Sequence, residues 1–447
     1  METNNKSFLQ HYWDKNRIWF KGMLTGFLIL LMLIPTLFVS NLVSERQDRQ
    51  QEAIREVSNK WAKGQTITGP FLVIPYLERN EKNEYYRATL YLLPDQLKID
   101  GQIMPESLNR SLYRILLYRS DLKLSGSFNF NQTALKAIPS ENIIWKDARL
   151  CIGVPDTRGL EEEVKLMWND TAGVLEAGLP ENTVAGNGLS APLPAGFTPQ
   201  SAKADFLVQM KLKGSDLLYF SPVGKATHVT LHSTWRSPAF DGSYLPDNRQ
   251  VNDSGFTAQW KVLEVTRNYP QCWANSKYEV EASAFGVKLI QPTDNYAKTQ
   301  RSVKYALLFI ALTFTIFFFL EIVQKKQVHP LQYILVGLAL TIFYTLLLSI
   351  SEYTGFNPAY LIAAAATILL ITLYVLSVFR KRTIAFGFGA ALTGLYLYIF
   401  VLIQLEDYAL LCGSIGLFVM LAILMYYSRK IDWYGKNTPA QQPYNND

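Results

Sequence analysis

His228 and His232 stand four residues apart in "THVTLHSTW", the spacing that places two imidazoles on one helix face as zinc ligands. The Thr and Val around them favour a strand instead. At about 3.3 Å per residue the two rings are then roughly 13 Å apart, too far to share an ion. The other histidines, His11 and His329, form no cluster with them, and no HExxH or CxxC accompanies the pair. The expectation is no metal and no cofactor.

A second candidate is "HSTWRSPAFDGSYLPDN", residues 232–248, which gathers aromatics, prolines and two aspartates. Asp241 with Gly242, and Pro246 with Asp247 and Asn248, are ordinary turn formers. Trp235 and Phe240 are aromatics of the kind that anchor a corner in a core. The sequence favours a structural corner. The competing assignment is a ligand site, in which Asp241 and Asp247 hold a cation or polar ligand beside Trp235.

Other reactive groups are sparse. "CGSIG" at 412–416 imitates a glycine-flanked nucleophile but lies in an apolar run, where small residues serve close helix packing. No phosphate-binding glycine loop is present, and no catalytic constellation is expected. Three cysteines are too few for a disulfide framework. Cys412 reads as a packing residue; for Cys151 and Cys272 the sequence leaves open a bridge or two separate buried thiols. Glu321 is the notable ionisable residue of the apolar runs, and Lys325 four residues on suggests a border ion pair. Glu352, Glu406 and Asp407 read as solvated loop acids.

These groups must be positioned by a chain of 447 residues, 49% hydrophobic and 18% charged, too apolar for an ordinary soluble protein. The apolar residues are concentrated at the two ends. Residues 18–43 carry one charge near their start, enough length to cross a bilayer. Five further runs follow at 303–323, 331–351, 358–379, 383–404 and 408–427. The first is too long for a cleaved secretion signal and "LVSERQ" offers no small-residue cleavage site, so it reads as an uncleaved anchor. Lys15, Arg17 and Lys21 precede it. Basic residues recur at Lys325 and Lys326, Arg380 to Arg382, and Arg429 and Lys430, whereas "SEYTGFN" and "QLEDY" hold acids and no Lys or Arg. This alternation predicts six spans with both termini cytoplasmic and residues 44–300 outside. Much of the net charge of +6 sits in those loops, so it calls for no nucleic acid. The bilayer is the expected partner, together with an envelope or membrane protein.

Within 44–300, "ERQDRQQEAIREVSNKWA" continues as a helix, with Ile54, Val57 and Trp61 at helical spacing. Gly69 and Pro70 break the pattern. Beyond them, Phe206, Val208, Met210 and Leu212 alternate along one segment, and Phe256, Ala258, Trp260 and Val262 along another, so the region reads as β-rich and sandwich-like. The Gly- and Pro-rich segment 172–203 reads as loop, either a boundary between two subdomains or one long irregular connection. The fold class is thus membrane α + β: one N-terminal span (1–43), a β-rich region (44–300), a five-helix bundle (301–428) and a cytoplasmic tail (429–447).

Long blocks of the chain, among them "TGPFLVIPY", "PDTRGL", "LYFSPVGKATHVTLHSTWRSPAFDGSYLP", "GFTAQW", "FGVKLIQPTDNYAKTQRSVKYALLF" and "LEDYALLCGSIGLF", resemble the CreD family of bacterial inner-membrane proteins. The resemblance runs from about residue 67 to the last span. It implies a periplasmic β-rich region and a non-enzymatic role in envelope integrity and stress response, linked to the CreBC two-component system and to tolerance of β-lactams. It carries over no catalytic residue. Alternatives are a membrane-anchored periplasmic sensor and a transporter or lipid handler.

Overall fold

The computed structural model describes residues 8–181, 184–195, 197, 203–274, 278–290, 295–324, 326–405 and 408–429. The chain divides into two units, one formed by Gln50–Pro292 and the other by Met1–Arg49 with Thr293–Asp447. Two helices open it, α1 (Phe8–Leu31) and α2 (Leu33–Trp61). They are interrupted at Met32 because Pro35 has no N–H to give the carbonyl four residues back.

In chain order the strands are β1 (Gln65–Arg79), β2 (Tyr85–Leu92), β3 (Gln96–Arg110) and β4 (Tyr113–Asn129), followed by the one-turn helix α3 (Thr133–Lys136). Then come β5 (Arg149–Gly153), β6 (Lys165–Trp168), β7 (Thr171–Val174), β8 (Glu176–Ala177), β9 (Gly188–Pro192), β10 (Lys203–Ser215) and β11 (Leu217–Phe220). The last are β12 (Ala226–Ser233), β13 (Pro238–Gly242), β14 (Asn248–Asn252), β15 (Gly255–Leu263), β16 (Cys272–Ala274) and β17 (Phe285–Leu289). One sheet has nine strands, β13-β17-β11-β1-β5-β9-β8, with β2 joined to β1 and β16. The other has eight, β14-β15-β12-β3-β4-β10-β6-β7.

The eight-stranded sheet obeys the period of two, whereas β1 of the nine-stranded sheet is buried almost without a break. Along β10 the residues Phe206, Val208, Met210 and Leu212 are buried, and along β15 Phe256, Ala258, Trp260 and Val262. They meet Ile67, Phe71, Leu90 and Leu150 of the other sheet in one continuous core. The Gly- and Pro-rich segment expected as loop instead supplies β7, β8 and β9, and β9 lies inside the nine-stranded sheet beside β5. In Gln50–Pro292 the end of α2 packs Val57 on Ile115 and Leu117. Trp61 lies beneath the charged ends of Arg119 and Lys213, a cation–π arrangement.

The other unit adds α4 (Asn295–Lys304), α5 (Ala306–Val323), α6 (Pro330–Thr354), α7 (Phe356–Phe379), α8 (Arg382–Gln404) and α9 (Ala409–Ser428). Among the described residues, five helical stretches are long and apolar enough to cross a membrane: Trp19–Trp61, Ala306–Val323, Pro330–Thr354, Phe356–Phe379 and Arg382–Gln404. The apolar stretch of α9, Leu411–Tyr426, is shorter. Phe309, Phe343, Tyr344, Tyr360 and Tyr396 are buried at the centre of the bundle, with Phe309 and Tyr396 edge-on at 4.3 Å. Gly416 lies beneath Tyr398, whose hydroxyl donates to the Cys412 carbonyl at 2.9 Å. This agrees with a packing role for the small residues of "CGSIG".

Glu352 is not the solvated loop acid the sequence suggested. Its side chain is 8% exposed, accepts the Tyr296 hydroxyl at 3.0 Å and lies 3.9 Å from Arg46. Here α4 tucks under the turn between α6 and α7, where Asn295 also donates to the Ser351 carbonyl and accepts the Phe356 amide. Glu406 and Asp407 lie outside the described residues.

Candidate functional site in the β unit

The stretch 232–248 leaves one sheet and returns to it. It closes β12 in the eight-stranded sheet, forms β13 against β17 at the edge of the nine-stranded one, and opens β14 back on the eight-stranded edge. Aromatic rings fasten the crossing: Phe240 meets Phe256 and Trp260 edge-on at 5.6 and 5.8 Å, and Tyr244 meets Phe285 at 5.7 Å. The Trp235 indole N–H lies 3.1 Å from the carbonyls of both Ser237 and Ile290. Trp235 therefore joins the corner to the end of β17.

Each aspartate is engaged by the fold. Asp241 accepts the Gly242 amide at 2.8 Å and the Tyr219 hydroxyl at 2.9 Å. Those two bonds, with Lys288 nearby, hold its carboxyl below the usual carboxylate range. Partial burial and the Asp241 carboxylate push the Tyr219 hydroxyl up to about 12. Asp247 accepts the Lys261 amide of β15 at 2.7 Å. The two carboxylates thus serve the edges of different sheets, and their hydrogen bonds do not converge on one point.

What strand register does bring together is a polar row. His232 pairs with Gln102 of β3 on one side and Thr257 of β15 on the other, and Thr257 pairs in turn with Gln250 of β14. Partners directly opposite in a sheet share a face, so Gln102, His232, Thr257 and Gln250 cross four strands side by side. His232 Nδ1 lies 3.0 Å from the Thr257 hydroxyl. The row borders an open depression of about 260 Å³, flanked by Thr234 and Asn252, whose lining holds no Asp, Glu, Lys or Arg. Gly255 makes the tight turn beneath it: its φ is +133°, and a Cβ there would stand 2.0 Å from the Ser233 carbonyl. Sequence reasoning weighed His228 and His232 as a metal pair, set it aside on strand spacing, and missed the row. Gln102 and Gln250 carry no chemical signature of their own; the parallel pairing of β3 with β12 joins the first to the row, and the antiparallel pairing of β14 with β15 the second.

Comparison with known proteins places the chain. The family model described as "Inner membrane protein CreD" matches residues 17–434. A protein of Escherichia coli (strain K12) of that same description is 33% identical over 424 residues, 93% of each chain. The chain belongs to the CreD family. With several apolar helices besides, it is a multi-pass inner-membrane protein.

In this CreD-family chain the block "PDTRGL" is a joint. Asp156 is buried and accepts two bonds of 2.8 Å from the Arg158 guanidinium, plus the Lys63 amide at 3.1 Å. The Arg158 guanidinium, assisted by that amide, holds the carboxyl below its usual range. Arg158 also donates to the Asn59 carbonyl at the end of α2, and buried Gln65 donates to the carbonyls of Asp156 and Lys213. A Cβ on Gly159 would sit 2.5 Å from the Lys213 carbonyl, so the backbones close here with no room for a side chain.

The membrane unit of the CreD-family chain holds the buried acid Glu321, which accepts the Lys21 ammonium of α1, the Tyr333 hydroxyl at 2.9 Å and the Val328 amide at 3.0 Å. Lys21 comes from the other end of the sequence; the partner expected for Glu321, Lys325, lies outside the described residues. Cys151 and Cys272 are free thiols, each pushed up to about 12 by burial. Such thiols are poor nucleophiles at neutral pH. Among the described residues no three His, Cys, Asp or Glu side chains converge as a metal site.

Proposed function

We propose that this CreD-family protein supports the integrity of the bacterial cell envelope without catalysing a reaction, by holding its β unit in the periplasm where it grips an envelope component. The observation that carries this reading is the row Gln102, His232, Thr257 and Gln250. It offers uncharged donors and acceptors on an open sheet face, which suits a hydroxyl- and amide-rich polymer such as the glycan and peptide of the cell wall. An open, shallow surface favours gripping over turnover, because catalysis gains from a dry, enclosed site.

The anchoring part of the proposal is six spans with both termini cytoplasmic. The basic residues around Lys15 to Lys21, Lys326, Arg380 to Arg382 and Arg429 alternate with basic-free outer turns, as the positive-inside rule requires. Asp241, Asp247 and Trp235 then act as the corner that keeps the two sheets in register beside the row. The role belongs to the envelope stress response governed by the CreBC two-component system, with tolerance of β-lactams as its outward sign. A deletion strain challenged with detergent and a β-lactam tests it. Wild-type protein restores survival, and the combined change Gln102→Ala with Gln250→Ala, at equal abundance, does not. Full rescue by that variant would overturn the role of the row.

A further inference from the structure

Between α5, α8 and α9 lies a groove of about 700 Å³ lined almost entirely by apolar side chains, among them Phe319, Val323, Ile423 and Ala391. It is open where Gly387 faces it, since a Cβ added there meets nothing within 4 Å. From Thr383 to Ala391 it follows about 12 Å of helix. One end is basic. Val323 is followed by Lys326, Thr383 is preceded by Arg380, Lys381 and Arg382, and Arg429 follows α9. Lys381 donates to Gln324 at 3.0 Å, which holds the end of α5 to the start of α8, and Lys326 donates to the Val378 carbonyl of α7.

At that end α8 lacks a side-chain cap at Lys381, which leaves the first amides of a 23-residue helix free to meet an anion. Arg380, in the left-handed region at φ +57°, and Arg382 are both exposed beside them. An apolar trough ending in uncapped amides and two arginines matches one molecule of the surroundings: a diacyl phospholipid with an anionic head group. We propose that this groove is a binding site for such a lipid, with an acyl chain along Phe319, Gly387 and Ala391 and the phosphate at the start of α8.

The test uses the full-length protein, purified in detergent and titrated with phosphatidylglycerol or phosphatidylcholine of the same acyl chains, with bound lipid counted by native mass spectrometry. The expected result is a preference for phosphatidylglycerol of roughly thirtyfold from the two arginines. Arg380→Gln with Arg382→Gln abolishes the preference yet still retains both lipids. Gly387→Leu, which fills the trough, loses both. Equal retention of the two lipids by the wild-type protein overturns the proposal. So does undiminished binding by Gly387→Leu, or a stable dimer that covers this face in place of lipid. Since the arginine pair is exposed, its variant reads the head-group contact even if Gly387→Leu fails to fold.

Discussion

The imidazole of His232 and the hydroxyl of Thr257, 3.0 Å apart on neighbouring strands, form the centre of the polar row on the eight-stranded sheet. Thr257→Val keeps the shape of the side chain and removes its hydrogen bond. On this half-exposed face the unfolding free energy should move by about 0.5 kcal/mol or less, while rescue of the deletion strain falls. A denaturant titration of the purified protein beside the survival assay separates the two effects.

The corner should respond in the opposite sense, through stability. Gly242 has φ +100°, and a Cβ there would lie 2.4 Å from the Ala284 carbonyl. Gly242→Ala should therefore cost about 2 kcal/mol or more. Asp241→Asn and Asp247→Asn, which keep an acceptor oxygen for the same amides, should each destabilise less than Gly242→Ala. Urea midpoints of the three variants check the order.

Asp156 gives the β unit an acid limit. Its carboxyl is held below its unfolded range by Arg158, so its contribution is fully present above the unfolded pKa and is lost as pH falls through the folded one. Asp156→Asn should cost about 2 kcal/mol at pH 7. The gap between variant and wild type should narrow as pH drops below about 4. Unfolding measured at a series of pH values reports that convergence.

Glu321 and Lys21 should behave as one unit. Glu321→Leu alone leaves the Lys21 ammonium without its buried acceptor, and Lys21→Met alone leaves the carboxylate without its cation. Either single change should lower the amount of folded protein in the membrane. The pair Lys21→Met with Glu321→Leu should recover much of the loss, because an apolar pair can replace a buried ion pair. Quantitative blots of the four forms close the cycle.

Where local pattern decides structure, the sequence was readable. The alternation of Phe206, Val208, Met210 and Leu212 on β10 and the helical spacing of Ile54, Val57 and Trp61 on α2 both reappear as buried faces. Strands β7, β8 and β9 were hidden because they are short and rich in Gly and Ala, and it is their neighbours that keep them extended. Long-range pairings were equally silent. Lys21 and Glu321 are 300 residues apart, and Gln102 meets His232 through a parallel pairing that no hairpin turn announces. In the stretch 232–248 the conspicuous aspartates are bonded into the two sheet edges, while its first residue, His232, enters the row.

The most direct test of the account is cosedimentation of the detergent-solubilised full-length protein with purified peptidoglycan sacculi. The wild-type protein should pellet with the sacculi, and Gln102→Ala with Gln250→Ala should weaken binding about tenfold, the loss of two uncharged hydrogen bonds. Wild-type protein that stays in the supernatant, or a double variant that pellets equally well, would contradict the assignment of the polar row as the surface that grips the cell wall.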